Sequence, residues 1–311
     1  MQVLCLGILV ADLVARIVRK FPDKGKLVRV ENMELHVGGC AANTGITLKK
    51  QGISTGIMGK VGDDGLGNFL IESLKKEGLD VRGIKKTSQV NTSSTMVMVD
   101  PDGERRFIHC VGANGDFSLS DVDWSIIKET QILHVAGSLL MPSLDGKPTA
   151  ELLKEAKDMG KTTSLDTAWD ATGQWLKLLE EALPYIDIFI PSVEEARMLS
   201  GKEKVEDIAH FFLNRGVKMV VLKMGKEGCY VNDGKKSFSS PTYPAEVIDT
   251  TGAGDAFVGG FLTGMVKGWD LEFTAKFANA VGTFCVQAVG ATQGIKSLEE
   301  TLKFLRERGE V

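Results

Sequence analysis

Asp249-Thr250-Thr251-Gly252-Ala253-Gly254-Asp255-Ala256-Phe257-Val258-Gly259-Gly260 is the stretch on which the reading of this 311-residue chain turns. A strand-like segment, Ala245 to Ile248, runs into it, and a segment of helical period, Ala256 to Val266, runs out. A turn of small residues between them points backbone N–H groups outward at a helix N-terminus, where unpaired donors and the helix dipole favour an anion. Asp255 stands where that anion would dock and would repel one already held there. The carboxylate therefore reads as a base facing a second substrate, against the plainer alternative that it N-caps the helix while the glycines shape a turn.

The rest of the chain bounds what this turn serves. A length of 311 residues suits one large α/β domain with a small appendage, or two modest domains. A quarter of the residues are charged and the net charge is −4, with no basic run, so nucleic acid is not an expected partner. Cys5, Cys40, Cys110, Cys229 and Cys285 are odd in number and contain no Cys-x-x-Cys pair, which predicts a reduced, cytoplasmic protein without structural zinc. The apolar opening from Val3 to Val10 lacks a basic preface and is too short to span a membrane, so it is expected as a buried strand.

That opening run is expected to be a central parallel strand with Asp12 at its carboxyl end, where open α/β sheets hold ligands. From about 13 to 36 charged and apolar residues interleave around Pro22 and Gly25, and residues 92 to 111 alternate on either side of Asp100-Pro101-Asp102-Gly103. Both read as short strands outside the main sheet, the second as a hairpin. Gly38-Gly39-Cys40-Ala41-Ala42-Asn43 then leads into a helical segment, Ala42 to Lys50, with glycines that admit a ligand to the backbone and an Asn on the first turn.

Alternation continues with a strand at Ser54 to Val61, a turn holding Asp63 and Asp64, and a helix from about Leu66 to Glu77. The two carboxylates are read as capping groups in preference to metal ligands. Further on, Ile132 to Ala136 reads as a buried strand, Thr149 to Met159 as a helix, Thr163 to Leu165 as a strand ending in Asp166, and Trp175 to Leu183 as a helix. Trp169 is either a stacking surface or core.

The stretch from Asp249 to Gly260 resembles the signature of the ribokinase-like (PfkB) carbohydrate kinases, Asp-Thr-x-Gly-Ala-Gly-Asp-x-Phe followed by small residues. Residues 38 to 43 resemble that family's second signature, the Gly-Gly-x-x-x-Asn sugar-binding motif. The resemblance extends over essentially the whole chain. It implies a single domain, residues 1–311, with an α/β/α sandwich around a mainly parallel sheet and a small β lid from about 13–36 and 92–111. The implied activity is ATP-dependent phosphorylation of a sugar hydroxyl, with Asp255 as general base and the N–H groups of Gly252, Ala253 and Gly254 as anion hole.

Asp12, Gly38, Gly39, Asn43 and Asp166 would then bind the sugar. Ser192 and Glu195 stand where the family pattern is Asn-x-x-Glu, which implies Mg2+ with Glu195 in its outer shell and Ser in place of Asn. Lys223, Gly225 and Gly228 resemble the nucleotide-facing turn, and Asn279 lies on the nucleotide side; without the resemblance, 223–228 would read as a hairpin turn into Cys229-Tyr230-Val231. Backbone near Asp249 and Thr251 is where relatives place a monovalent cation such as K+. The apolar face and edges of the lid suggest a homodimer surface, against the alternative of a purely structural flap.

Two departures stand out. Thr167-Ala168-Trp169-Asp170 replaces the Asn and Arg that many members carry after the Asp166 strand, and Cys40 replaces the Lys usual in ribokinases proper. A dinucleotide-binding dehydrogenase is disfavoured, because no Gly-x-Gly-x-x-Gly follows the first strand. A nucleoside kinase of the same fold and a non-catalytic sugar or nucleoside sensor are the alternatives. The acceptor stays open, with Arg105 and Arg106 on the hairpin either facing an acidic sugar or simply solvated.

Overall fold

The computed structural model describes residues 1–101 and 105–310. The chain runs β1 (Val3–Gly7), β2 (Val10–Arg16), β3 (Asn32–Gly38), α1 (Cys40–Lys50), β4 (Thr55–Gly62), α2 (Gly65–Lys76), β5 (Asp80–Thr87), β6 (Ser94–Val99) and β7 (Arg105–Cys110). It continues through α3 (Gly112–Asp116), α4 (Trp124–Lys128), β8 (Ile132–Ser138), α5 (Lys147–Asp158), β9 (Thr162–Thr167), β10 (Ile188–Phe189), α6 (Val193–Ser200), α7 (Val205–Leu213) and β11 (Met219–Lys223). The last elements are β12 (Cys229–Asn232), β13 (Ser237–Ser240), α8 (Ala253–Lys267), α9 (Leu271–Cys285) and α10 (Leu298–Arg306).

Nine strands form the main sheet in the order β13-β12-β11-β10-β9-β8-β1-β4-β5, parallel from β5 to β11 and antiparallel beyond. Continuous apolar runs suit it, because both faces are covered. In β1, Leu4 and Leu6 enter a core shared with Leu152 and Leu153 of α5 and Phe212 of α7. Val3 and Cys5 point the other way, into a core with Ile46 of α1, Leu70 of α2 and Phe261 of α8. Each such buried Leu or Phe contributes about 1.5–3 kcal/mol. The three-layer α/β/α architecture is therefore as expected.

A second sheet of four strands, β3-β2-β6-β7, stands apart from the first. Strand β2 pairs antiparallel with β3 and parallel with β6, and β6 pairs antiparallel with β7. These are the segments expected outside the main sheet. Asp102 and Gly103 of the expected hairpin turn lie outside the described residues.

Several details differ from the reading of the sequence. The run from Val3 to Val10 is not one strand: β1 ends at Gly7, and Val10 already belongs to β2 of the small sheet. Asp12 thus lies within the small sheet, paired with His36 and Thr95, and not at the end of a central strand. An unbroken apolar run carries no mark of where a strand leaves one buried sheet for another. Residues 245–248 form no strand, and Val247 and Ile248 are exposed. The segment from Trp175 to Leu183 holds only short 3-10 turns, Trp175–Leu178 and Leu183–Tyr185. Trp169 is 55% exposed and packs edge-on against Trp175, so it is not core. Strand β5 carries Gly83 and three Lys or Arg residues as an edge strand and was not anticipated. Asp64 caps α2 by accepting from Gly67 N, as the capping reading holds, whereas Asp63 pairs with Lys86 and caps no helix among the described residues. Among the described residues no helix is long and apolar enough to cross a membrane.

Candidate active site

The stretch Asp249–Gly260 forms the wall between two cavities. Helix α8 begins at Ala253, with Gly252 as its N-cap in the left-handed region at φ 75°. A Cβ on Gly252 would lie 2.5–2.7 Å from atoms of Ala291, so no other residue fits without displacing that loop. Asp255 is in the first turn of α8 and caps nothing. Its Oδ2 instead accepts a 2.8 Å hydrogen bond from Asn43 Nδ2 of α1. Among the described residues the N–H groups of Gly252 and Gly254 meet no protein acceptor, whereas that of Ala253 donates to Thr250 O at 3.3 Å.

One cavity, of about 720 Å³, lies between the small sheet and this loop. Asp12, Gly39, Asn43, Asp249, Thr251, Gly252 and Asp255 all line it. Gly38 does not, but a Cβ there would lie 2.0 Å from Asp12 Oδ2, so its missing side chain gives the carboxylate room. Burial pushes the Asp12 carboxyl up to about 6, against the opposing pull of the Thr95 hydroxyl and His36. Asp255 is likewise raised by burial, with the Asn43 hydrogen bond and the Lys223 charge pulling the other way. The Asn43 Oδ1 atom is buried without a partner among the described residues, an acceptor left for a ligand hydroxyl.

The other cavity, of about 540 Å³, is lined by Lys223, Gly225, Gly228, Ala253, Gly254 and Asn279. Lys223 Nζ lies 3.5 Å from where a Cβ on Gly254 would stand. The 223–228 segment is both things the sequence allowed, a β11–β12 hairpin turn and a cavity wall. Asn279 uses its amide nitrogen on Ser240 and Pro241 carbonyls, which ties α9 to the strand beside the cavity.

Asp166, Ser192 and Glu195 line neither cavity. Asp166 is 2% exposed and accepts a 2.7 Å bond from Lys223 Nζ, so it supports Lys223 and does not reach the sugar-side cavity as the sequence suggested. Burial raises the Asp166 carboxyl to about 7. Burial alone would lower Lys223, but Asp166 and Glu195 outweigh it and keep the ammonium charged. Ser192 caps α6 with Glu195 in a reciprocal pair, and Thr167 donates a 2.9 Å bond to Glu195 Oε2. Glu195 Oε1 has no protein partner among the described residues, so this oxygen-rich group fits the water shell of a hydrated Mg2+. No cluster of three metal-ligating side chains occurs among the described residues.

The side-chain oxygens of Asp249 are held by protein donors. Its Oδ1 accepts from Thr251 N at 2.9 Å and from Arg105 Nη1 at 2.6 Å, and its Oδ2 accepts from Gly290 N at 2.9 Å. Arg105 also donates to the hydroxyls of Thr250 and Thr251. Both carboxylate oxygens are engaged and a guanidinium already supplies the positive charge. Arg105 is therefore not the solvated hairpin residue that its position suggested, whereas Arg106 pairs with Asp100 on the surface.

His36, Thr95 and His109, which share one row with Asp12 across the small sheet, carry no mark in the sequence. Alternation predicts that every second residue shares a face, but not which strand lies beside which.

Two cavities meeting at a glycine turn with the half-buried carboxylate of Asp255 suit an enzyme that brings two substrates together, and the fold is that of the sugar kinases. The chain belongs to the pfkB family of carbohydrate kinases, whose model matches residues 1–298, and it is an ATP-dependent carbohydrate kinase. It is 28% identical to an ATP-dependent 6-phosphofructokinase of Thermoanaerobacterium thermosaccharolyticum, over 96% of this chain and 92% of that one. It is also 28% identical to the 2-dehydro-3-deoxygluconokinase of Bacillus subtilis, over 91% of this chain and 90% of that one. The structure of Arabidopsis thaliana ribokinase complexed with ribose and ATP superimposes with a TM-score of 0.86 at 27% identity, covering 98% of each chain.

Proposed function

We propose that the chain transfers the terminal phosphoryl group of ATP to a hydroxyl, typically a terminal CH2OH, of a sugar or sugar-like acceptor held under the small sheet. The observation that carries this reading is the division of one turn between two cavities: Asp255 faces the cavity of Asp12 and Asn43, while Ala253 and Gly254 face that of Lys223. ATP occupies the Lys223 side, with Gly225, Gly228 and Asn279 along its wall. Asp12 and Asn43 hold acceptor hydroxyls, and Gly38 and Gly39 give them room. Asp255 accepts the proton of the attacking hydroxyl. The free amides of Gly252 and Gly254, with Ala253 completing the turn, stabilise charge on the transferred group, the electrostatic work that dominates phosphoryl transfer. Lys223, positioned by Asp166, adds a point charge beside them.

When bound with ATP, Mg2+ neutralises phosphate charge; Glu195, Ser192 and Thr167 would hold it through water. A monovalent cation at Asp249 and Thr251 is not part of the proposal, because Arg105 serves there. The small sheet acts as a lid that excludes water and so favours transfer over hydrolysis. Its outer face carries the row Leu35, Leu13, Met96 and Ile108, which supports a homodimer through the lid. The kinase assay that tests the reading measures ADP formation with a panel of pentoses, hexoses, sugar acids, sugar phosphates and nucleosides. Asp255→Asn is expected to keep ATP and acceptor binding and lose about 10²–10⁴-fold in kcat. Near-native turnover in that variant would remove Asp255 from the role of base.

A further inference from the structure

The cavity under the small sheet is lined by carboxylates near the turn and, at its far end, by the guanidinium of Arg16, unpaired among the described residues. Around the turn lie the carboxylates of Asp12 and Asp255. At the far end, Arg16 of β2 aligns with Val99 of β6, and Val99 aligns with Arg105 of β7, so the two arginines flank one valine on the cavity face. Arg16 lies four residues beyond Asp12 on the same face of the strand, roughly 13 Å away at about 3.3 Å per residue. The long guanidinium side chains shorten that span.

The two arginines differ in what they already hold. Arg105 is paired with Asp249. Arg16 forms no ion pair among the described residues, and its Nε is buried without a hydrogen-bond partner. Nearby Glu34 directs its carboxylate to Asn32 at 2.6 Å and His36 at 3.0 Å, not to Arg16. A buried guanidinium nitrogen left unpaired is costly, so its persistence in a ligand cavity argues that the ligand supplies the partner. The planar fork of Arg matches a carboxylate or phosphate ester in a bidentate manner.

We infer that the acceptor carries an anionic group, a carboxylate or a phosphate ester, at the end remote from the hydroxyl that is phosphorylated, and that Arg16 binds it. This rests on the kinase reading above and narrows its substrate class. The hydroxyls near Asp12 and Asn43 and the anion near Arg16 together fix the acceptor in one orientation. A neutral pentose would leave the Arg16 end of the cavity unfilled.

The test compares acceptors of matched chain length: a neutral sugar, the corresponding sugar acid and the corresponding sugar phosphate, at saturating ATP. The expected result is kcat/KM for one of the two anionic forms about 100-fold or more above that for the neutral form. The acid and phosphate arms distinguish which anion is bound. Arg16→Gln is expected to raise KM for the anionic acceptor about 10- to 100-fold, as loss of a charge-assisted hydrogen bond implies. KM for ATP should stay unchanged, and Arg16→Lys should recover part of the loss. Preference for the neutral sugar, or an Arg16→Gln enzyme with unaltered acceptor KM and native thermal unfolding, overturns the inference and leaves the kinase reading standing. Absence of ADP formation with every acceptor overturns both.

Discussion

Asn43 Nδ2 donates to Asp255 Oδ2 at 2.8 Å, joining the first turn of α1 to the first turn of α8 across 212 residues of sequence. The bond aims the carboxylate and favours its ionised form. Burial pushes Asp255 up, and the Asn43 bond opposes this more than the Lys223 charge does. Asn43→Ala removes that opposition, so the acid limb of the kcat profile should move to higher pH and the variant should lose activity most strongly below neutrality. The pH dependence of kcat checks this; an unshifted acid limb with only a raised KM would confine Asn43 to acceptor binding.

Asp12 gives a second pH-dependent property. Its carboxyl is raised to about 6, and the ionised form accepts from sugar hydroxyls on both oxygens and more strongly than the protonated one. Acceptor KM should therefore fall as the pH rises from about 5 to 7, while KM for ATP stays level. For stability the sign is opposite. A carboxyl raised in the folded state favours folding while protonated, and that contribution is lost as pH rises through about 6. Asp12→Asn should flatten both dependences, as acceptor kinetics and unfolding at pH 5 and 7 would reveal.

The Asp166–Lys223 pair is buried, with side chains 3% and 12% exposed. Removing one partner leaves the other charge uncompensated, so Asp166→Asn should destabilise the fold by about 3 kcal/mol. Replacing both, Asp166→Asn with Lys223→Met, should restore much of that stability but not activity. Denaturant unfolding together with turnover checks the pair; an equally unstable double variant would show that packing, not charge, sets the cost.

Arg105 reaches from the small sheet to Asp249, where it supplies positive charge beside the signature turn. Replacing K+ by a bulky organic cation should leave turnover of the native enzyme unchanged. Arg105→Ala should lower turnover and make it responsive to K+. A native enzyme that loses most activity without K+ would show that Arg105 does not supply the charge that the turn needs.

Much of the fold was legible because its signals are local. Alternating β and α segments, two glycine-rich turns before helices and capping residues such as Asp64 and Ser192 each declare themselves within a few residues. The path of the chain after Gly7 did not, since Val10 is as apolar in the small sheet as it would have been in the large one. The segment Trp175–Leu183 likewise has a helical pattern, yet its backbone makes only short turns held by Asp170, whose carboxylate accepts from Trp175 N at 2.6 Å.

The sequence by itself determined the chemistry at the turn: which residues stand at 249–260 and 38–43, that Asp255 follows an unhindered glycine turn, and that Glu195 follows Ser192 by one helical turn. Tertiary structure alone decided which of these groups meet. It set Asn43 against Asp255, drew Asp166 away from the sugar-side cavity to Lys223, brought Arg105 to Asp249, and left Arg16 facing a cavity without a partner. The physical reason is that helical and strand periodicities fix which side chains share a face, whereas contacts between distant segments depend on strand register and packing.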